Sequence, residues 1–294
     1  MGMAYAVLRT RMGRLRTPSL MSSHSTHPFE GNLLLSALGA TDTALLEPHV
    51  VRRDHSRGDT LFDVDEDVSH VTFPLDQTVA TLVVRLGGDR TVETATVGHE
   101  GAIGGVVSQG YLPAFTRCVV LVEGSALRMD ADRLREAKQA SPTMNDLFVR
   151  YADCMLAQVL QSVACNAGHP IEQRVLRWLL GLQDRLGTDA LPVTQVVVGS
   201  MLGVGRSHIA AVLAELQRQG LIHLGHGRIH MLDRGRTEAA ACDCHARVRK
   251  HFRTVLGATY ARDGKIVAVE ATEPGTPPKA RPDAILPEAR GTGR

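Results

Sequence analysis

The stretch from Leu191 to Ile222 constrains this chain more than any other part of it. Thr194 is placed to cap a short helix opening at Gln195. Gly203 follows where a tight turn needs a positive φ, and Gly205 can cap a second helix. In that second helix Ile209, Val212, Leu213 and Leu216 recur at three- and four-residue steps and form one inward stripe. Ser207, His208, Ala211, Glu215 and Arg218 are left facing outward. Val196-Val197-Val198 is a β-branched run that reads as strand when taken alone. The turn and the second helix beside it argue for helix, because tertiary context outweighs propensity. Leu221–Leu224 and Arg228–Leu232 then flank Gly225-His226-Gly227, the pattern of a hairpin. Helix, turn, helix and hairpin in this order predict a winged helix-turn-helix, with the helix-turn-helix at about Thr194–Gln219.

Upstream the periodicity is different. From about Val50 to Met129, short β-like segments are split by turn residues: Val50–Asp54, Thr60–Phe62, Val71–Phe73, Val79–Leu86, Thr91–Val97, Arg117–Val122 and Ser125–Met129. Gly87-Gly88-Asp89 reads as a three-residue hairpin loop. Even spacing of this kind suggests a β barrel or sandwich of jelly-roll type. A short helix, Asn32–Leu38, is expected before it. The pattern turns helical at Asp132–Ala140 and again at Thr143–Ala164, where Phe148, Ala152, Met155, Leu156, Val159, Leu160 and Val163 make a broad apolar stripe. That stripe could face its own barrel, a second copy of the chain, or both. Cys165-Asn166-Ala167-Gly168-His169-Pro170 is expected to break the helix, and Ile171–Leu186 to form the next. The fold class is therefore α+β. Its expected parts are a β domain over 28–140, a long helix over 141–166 and a winged helix-turn-helix domain over 167–253.

The net charge of +2 says little, but its distribution says more. Residues 28–167 carry eleven basic against nineteen acidic side chains, whereas 168–253 carry twelve against seven, with seven His besides. A basic segment after an acidic one points to phosphate as the partner of the basic one. Residues 1–27 hold Arg9, Arg11, Arg14 and Arg16 and no acid, and read as a disordered arm or a mis-assigned start. Residues 254–294, rich in Pro and Gly, are expected to be disordered. No run of eighteen apolar residues argues for a membrane span. Five irregularly spaced Cys fit a reducing, cytoplasmic setting.

Beyond these patterns, specific residues resemble those of the CRP/FNR superfamily of transcription regulators. In the β part they are Phe73-Pro74, Val92-Glu93 and Val97-Gly98-His99-Glu100-Gly101-Ala102-Ile103-Gly104. They continue with Cys165–His169, Arg174 and Arg177-Trp178-Leu179-Leu180. In the last third they are Met201–Val204, Leu216-Gln217, Gly220–Ile222, Gly227–Ile229, Leu232–Arg234 and Ala241-Cys242-Asp243-Cys244-His245. The resemblance spans about Leu33 to Phe252. It implies a cyclic-nucleotide-binding-like jelly-roll sensor domain over 28–140, a dimerisation helix over 141–166, and a homodimer on a two-fold DNA operator with half-sites roughly 34 Å apart. RNA polymerase and an unidentified small-molecule effector are further candidate partners.

The chain departs from that family in ways that bear on its signal. Where cyclic-AMP binders carry a Gly-Glu pair, this chain has Gly104-Gly105, and Arg117 stands near the later Arg position but in a strand-like run. An anionic phosphodiester without its Arg would be poorly compensated, so cyclic AMP is not expected. No Cys precedes Cys118, which excludes an N-terminal four-thiolate cluster. His70 and His99 are the nominal haem ligands, yet lone histidines usually serve structure. Cys242 and Cys244, with His251 nearby, could bind a soft metal or respond to oxidation, which makes a redox- or metal-responsive regulator the alternative reading. On this reading no other cluster completes the site, so neither metal nor cofactor is assigned. No catalytic residues are assigned either, since Gly98-His99-Glu100-Gly101 lacks a second His and no P-loop or Gly-x-Ser-x-Gly motif occurs. The expected DNA-binding residues are Thr194, Gln195, Arg206, Ser207, His208, Ala211, His226 and Arg228. Arg206 is the expected reader of a guanine edge. The resemblance aligns it with the family's reading Arg, while Ser207 and Ala211 replace the usual Glu and second Arg.

Overall fold

The computed structural model describes residues 28–87, 90–106 and 113–279. The basic arm at 1–27, two residues of the expected Gly87-Gly88-Asp89 loop and the chain after 279 lie outside the described residues. Two short helices open the fold, α1 (Leu33–Ser36) and α2 (Ala40–Leu46). Asn32 caps α1 by accepting from Leu35 N at 3.0 Å, and its amide donates to Pro74 O and Gly101 O, both at 2.9 Å. One buried side chain thus joins the first helix to the end of a strand and to a loop of the β domain.

Seven strands follow: β1 (Val51–His55), β2 (Thr60–Phe62), β3 (His70–Pro74), β4 (Val79–Arg85), β5 (Thr91–Val97), β6 (Arg117–Val122) and β7 (Gly124–Asp130). They pair antiparallel into two sheets, ordered β1-β7-β3 and β2-β6-β4-β5. This is the predicted jelly-roll-like domain. Its larger core lies between the β1-β7-β3 sheet and the helices, around Phe73, Met129, Leu134, Phe148 and Tyr151.

Helix α3 (Ala131–Ala140) leads through Ser141 into α4 (Pro142–Gly168). Ser141 accepts from Met144 N at 3.1 Å and Pro142 takes the first turn, a pairing that defines a helix start. The expected break over Cys165–Pro170 falls at the end of that stretch: α4 continues through Gly168 and stops at His169-Pro170. Cys165 is fully buried on the helix. The apolar stripe on α4 divides into two faces. Leu147, Phe148, Tyr151 and Cys154 face the core, whereas Val149, Leu156, Leu160 and Val163 stay 55–62% exposed.

Helix α5 (Ile171–Leu186) ends at Gly187, whose φ of 62° closes it in the left-handed region. Strand β8 (Ala190–Leu191) precedes α6 (Gln195–Leu202) and α7 (Arg206–Arg218). Strands β9 (Ile222–Gly225) and β10 (Arg228–Met231) form the wing, completed by β8 in the order β8-β10-β9. Helices α8 (Arg234–Ala240) and α9 (Cys244–Leu256) then carry the chain back along α4.

The expectation of disorder from residue 254 fails up to residue 279. Strands β11 (Thr259–Tyr260) and β12 (Ile266–Ala268) form a small hairpin, and Leu256, Ala258, Ile266 and Val269 are buried in the barrel core. His99 binds Ile266 O at 3.0 Å, and Arg150 donates to Val255 O and Glu270 O at 3.0 and 3.2 Å. Pro and Gly in this segment suggested a disordered tail, but Ile266 and Val269 find a core, and His99 and Arg150 hold the backbone beside it.

Candidate functional site

Helices α6 and α7 bend by 114° at Gly203-Val204-Gly205. Thr194 accepts from Val197 N at 3.3 Å and so caps α6 as predicted. The valine run is helical because its buried member, Val198, packs with Leu202, Ile209, Val212 and Leu213 in one core. Gly199 lets the two helices cross closely. A Cβ there would lie 3.0 Å from Ile209 Cγ2 and 3.2 Å from Val204 O. Gly203 has φ 69°, the left-handed turn the sequence demanded.

The inward stripe of α7 is buried, and Arg206, Ser207, His208 and Ala211 are exposed on its first turns. His226 and Arg228 are exposed at the wing, and Gln195 is half-buried at the start of α6. Thr194, the last of the expected contact residues, spends its hydroxyl on the cap. Glu215 and Arg218 pair with each other at 2.6 Å, which removes most of the net charge from the far end of the helix. Gln217 Oε1 accepts from Leu224 N at 2.8 Å and ties α7 to the wing. The barrel touches this unit directly: Thr91 and Ser200 hydroxyls lie 3.2 Å apart, and Arg57 donates to Pro192 O.

The stretch Gly98–Gly101 is a structural joint. Glu100 is 3% exposed at its side chain and pairs with Arg185 at 2.8 Å. Gly98 N donates to Glu100 at 3.0 Å, and Arg185 reaches Gln158 Oε1 at 3.2 Å. A Cβ at Gly101 would collide with the buried Tyr151 hydroxyl, which donates to Ala102 O at 3.0 Å. The barrel is thereby bolted to α4 and α5. His99, a nominal haem ligand, is taken up by Ile266 O, and burial lowers its pKa. In the barrel, Gly104 and Gly105 have φ of 78° and 57°, and Arg117 is paired to Asp63 at 2.7 Å.

A second constellation was only half visible in the sequence. Cys165, His169, Cys242 and Cys244 bring four donor atoms within 4.8 Å of one another. Cys165 Sγ lies 3.6 Å from Cys242 Sγ, and Cys244 Sγ lies 3.5 Å from His169 Nδ1. Gln161 Nε2 donates to Cys244 Sγ at 3.0 Å. All three cysteines are unbridged and buried, and burial pushes each thiol up from its ordinary range. The partners that Cys242 and Cys244 lacked in sequence are therefore Cys165 and His169, from the end of α4. His251, the neighbour first suggested, is engaged with Asp153 at 2.7 Å and is outside the set. The overlooked signal was the four-residue spacing of Cys165 and His169, which keeps them close: Cys165 lies in the last turn of α4 and His169 caps it.

Beside the cluster lies a buried ionic network. Asp184 accepts from Arg234 at 2.6 Å and from His245 at 2.8 Å, and Arg249 stands 3.7 Å away. Burial alone would raise the Asp184 pKa, but His245, Arg249 and Arg234 outweigh it and hold the carboxyl at about 2.

A jelly-roll domain, a long helix and a winged helix-turn-helix together define a two-domain, winged-helix class of protein. Within that class the chain has the fold of the CRP/FNR superfamily of transcription regulators, and residues 173–239 match the model of the Crp-like helix-turn-helix domain. Similar solved structures include a crp/fnr-family transcriptional regulator from Eubacterium rectale, at 16% identity and TM-score 0.56 over 72% of this chain and 97% of that one. FixK2 from Bradyrhizobium japonicum is similar at 16% identity and TM-score 0.57, over 66% and 98%. A CRP-family transcriptional regulator from Thermus thermophilus, TTHB099, follows at 18% and 0.55, over 64% and 96%. No curated protein sequence matches the chain. Among the described residues no single helix is long and apolar enough to cross a membrane.

Proposed function

We propose that the chain is a non-catalytic, homodimeric regulator that binds double-stranded DNA in a sequence-specific manner, and that its thiol–imidazole cluster makes it responsive to a metal or to redox state. The observation that carries DNA binding is the exposed first turn of α7, set on a helix pair of the right angle and flanked by a Gly-turned wing. Arg206 reads a guanine edge, Ser207 and His208 line the same turn with Ala211 on the next, and His226 and Arg228 meet phosphate or the minor groove. Gln195 and the Thr194 backbone stand at the N-terminus of α6, suited to a phosphate oxygen.

The exposed residues of α4 supply the seam between two copies. Val149, Leu156 and Val163 repeat at seven-residue steps, with Ala152 and Val159 between them, as in a two-stranded coiled coil. Cyclic AMP is not the effector. Gly104-Gly105 offers no carboxylate to a ribose, and Arg117 is already neutralised by Asp63. Operator DNA and unbridged thiols both fit the cytoplasm. RNA polymerase is the natural further partner of a regulator bound at a promoter.

Duplexes selected from a random pool test this reading. Binding to the selected operator weakens steeply with salt, as counterion release requires. Arg206→Ala loses about 1–3 kcal/mol, roughly 5- to 150-fold, on that operator and relaxes the choice at one base pair. Equal affinity of Arg206→Ala and wild type would remove Arg206 as the reader. No duplex binding at low salt would refute the function.

A further inference from the structure

The cluster's dimensions and donor types bear on what it can hold. A metal with bonds of about 2.3 Å to sulfur and about 2.0 Å to nitrogen places tetrahedral neighbours roughly 3.5–3.8 Å apart. The Cys165–Cys242 sulfur–sulfur and Cys244–His169 sulfur–nitrogen separations are 3.6 and 3.5 Å, and all four donor atoms lie within 4.8 Å of one another. We infer that Cys165, His169, Cys242 and Cys244 form a tetrahedral site for one zinc-class divalent cation per chain, and that this ion clamps the hinge between the long helix and the DNA-binding domain. The inference rests on the reading of the cluster as the control element and goes beyond it by fixing the ion and the part it holds.

Two other fates of the thiols fit less well. In a four-iron cluster each ligand binds a different iron and bridging sulfides lie between them, which spreads the ligands far wider than the 4.8 Å found here. A disulfide would join Cys165 to Cys242 and leave Cys244 and His169 facing each other without a task. Three thiolates and a dication leave one negative charge. Arg174 and Arg177 both stand near enough to Cys165 to act on its charge, and Gln161 donates to Cys244 Sγ. Such outer partners are what a charged thiolate site requires. Uptake of the ion releases three thiol protons as the three metal–sulfur bonds form.

The clamp is placed where it can act on DNA binding. Cys165 lies in the last turn of α4 and His169 caps it, just before Pro170 and α5. Cys242 and Cys244 come from the junction of α8 and α9. Beside the site, Arg174 donates to Asn166 on α4 at 3.0 Å and to Leu202 O at 2.9 Å. Leu202 is the last residue of α6, next to the turn that aims α7. One guanidinium therefore spans from the clamp to the helix-turn-helix.

The test uses the full-length protein, purified anaerobically, with metals and inorganic sulfide quantified and cobalt(II) as the probe. One zinc per chain is expected. The stripped protein should give the visible ligand-field bands of tetrahedral cobalt and thiolate-to-cobalt charge transfer. Cys242→Ser and His169→Ala should alter or lose that spectrum, and Cys154→Ala, away from the site, should keep it. Because the spectrum of the wild type already reports the ligands, misfolding of a variant leaves the inference testable. Stripping should weaken duplex binding at least tenfold, and zinc should restore it. Iron with stoichiometric sulfide, or a Cys165–Cys242 disulfide in metal-free protein, would overturn the inference while leaving a redox-responsive regulator standing. Reduced thiols that take up no cobalt would overturn the inference, and reduced thiols that also form no disulfide on oxidation would overturn the responsive cluster as well. Zinc binding with unchanged duplex affinity would overturn the hinge clamp.

Discussion

Replacing Glu100 by Ala should destabilise the protein by about 3–5 kcal/mol, the usual cost of breaking a buried ion pair. The side chains of Glu100 and Arg185 are 3% and 11% exposed, and their charged atoms are 2.8 Å apart. At an effective dielectric of about 20, charges this close attract by roughly 6 kcal/mol before desolvation is subtracted. The substitution leaves the Arg185 guanidinium with only neutral acceptors, Gln158 Oε1 and Gly181 O, and leaves Gly98 N without its carboxylate. Arg185→Met should cost a similar amount. In the double variant no charge is stranded, so the loss should fall short of the sum by about 2 kcal/mol or more. Urea denaturation followed by far-ultraviolet circular dichroism measures this, with an unchanged slope showing that the folded state is still compact. A single-variant loss below about 1 kcal/mol, or strict additivity, would refute the view that this pair bolts the barrel to α4 and α5.

Other expectations follow from the same geometry. Leu156→Asp with Val163→Asp places charge on the exposed seam of α4, and sedimentation should find a monomer with weakened operator binding. A dimer that survives both changes would mean the seam lies elsewhere. Asp184 is held at about 2 by His245, Arg249 and Arg234, so its charged form favours the fold. Its contribution is complete above about pH 4 and disappears as pH falls toward about 2, a loss of about 2 kcal/mol. The stability gap between wild type and Asp184→Asn should close over that window, and a gap independent of pH would contradict the pairing.

Much of the DNA-binding half was legible in the sequence because its signals are local. A cap at Thr194, a left-handed turn at Gly203 and a three-four stripe from Ile209 to Leu216 act within one or two turns of chain. The β segments and their turns were legible for the same reason. The valine run at 196–198 was the local signal that pointed the wrong way, and burial of Val198 against α7 overrode it.

The features that distinguish this protein come from long-range closure. Cys165 meets Cys242 across 77 residues, a juxtaposition that no spacing rule announces. The stripe on α4 has one periodicity, yet only the placement of the barrel decides which residues are covered and which remain for a second copy. The Pro- and Gly-rich segment after α9 looked like a disordered tail until the barrel core supplied apolar partners for Ile266 and Val269. By itself the sequence determined periods, caps and turns, because these depend on steric and hydrogen-bond rules between near neighbours. Tertiary structure decided the metal-sized cluster, the seam and the closing hairpin, because each depends on which distant surfaces exclude water from one another.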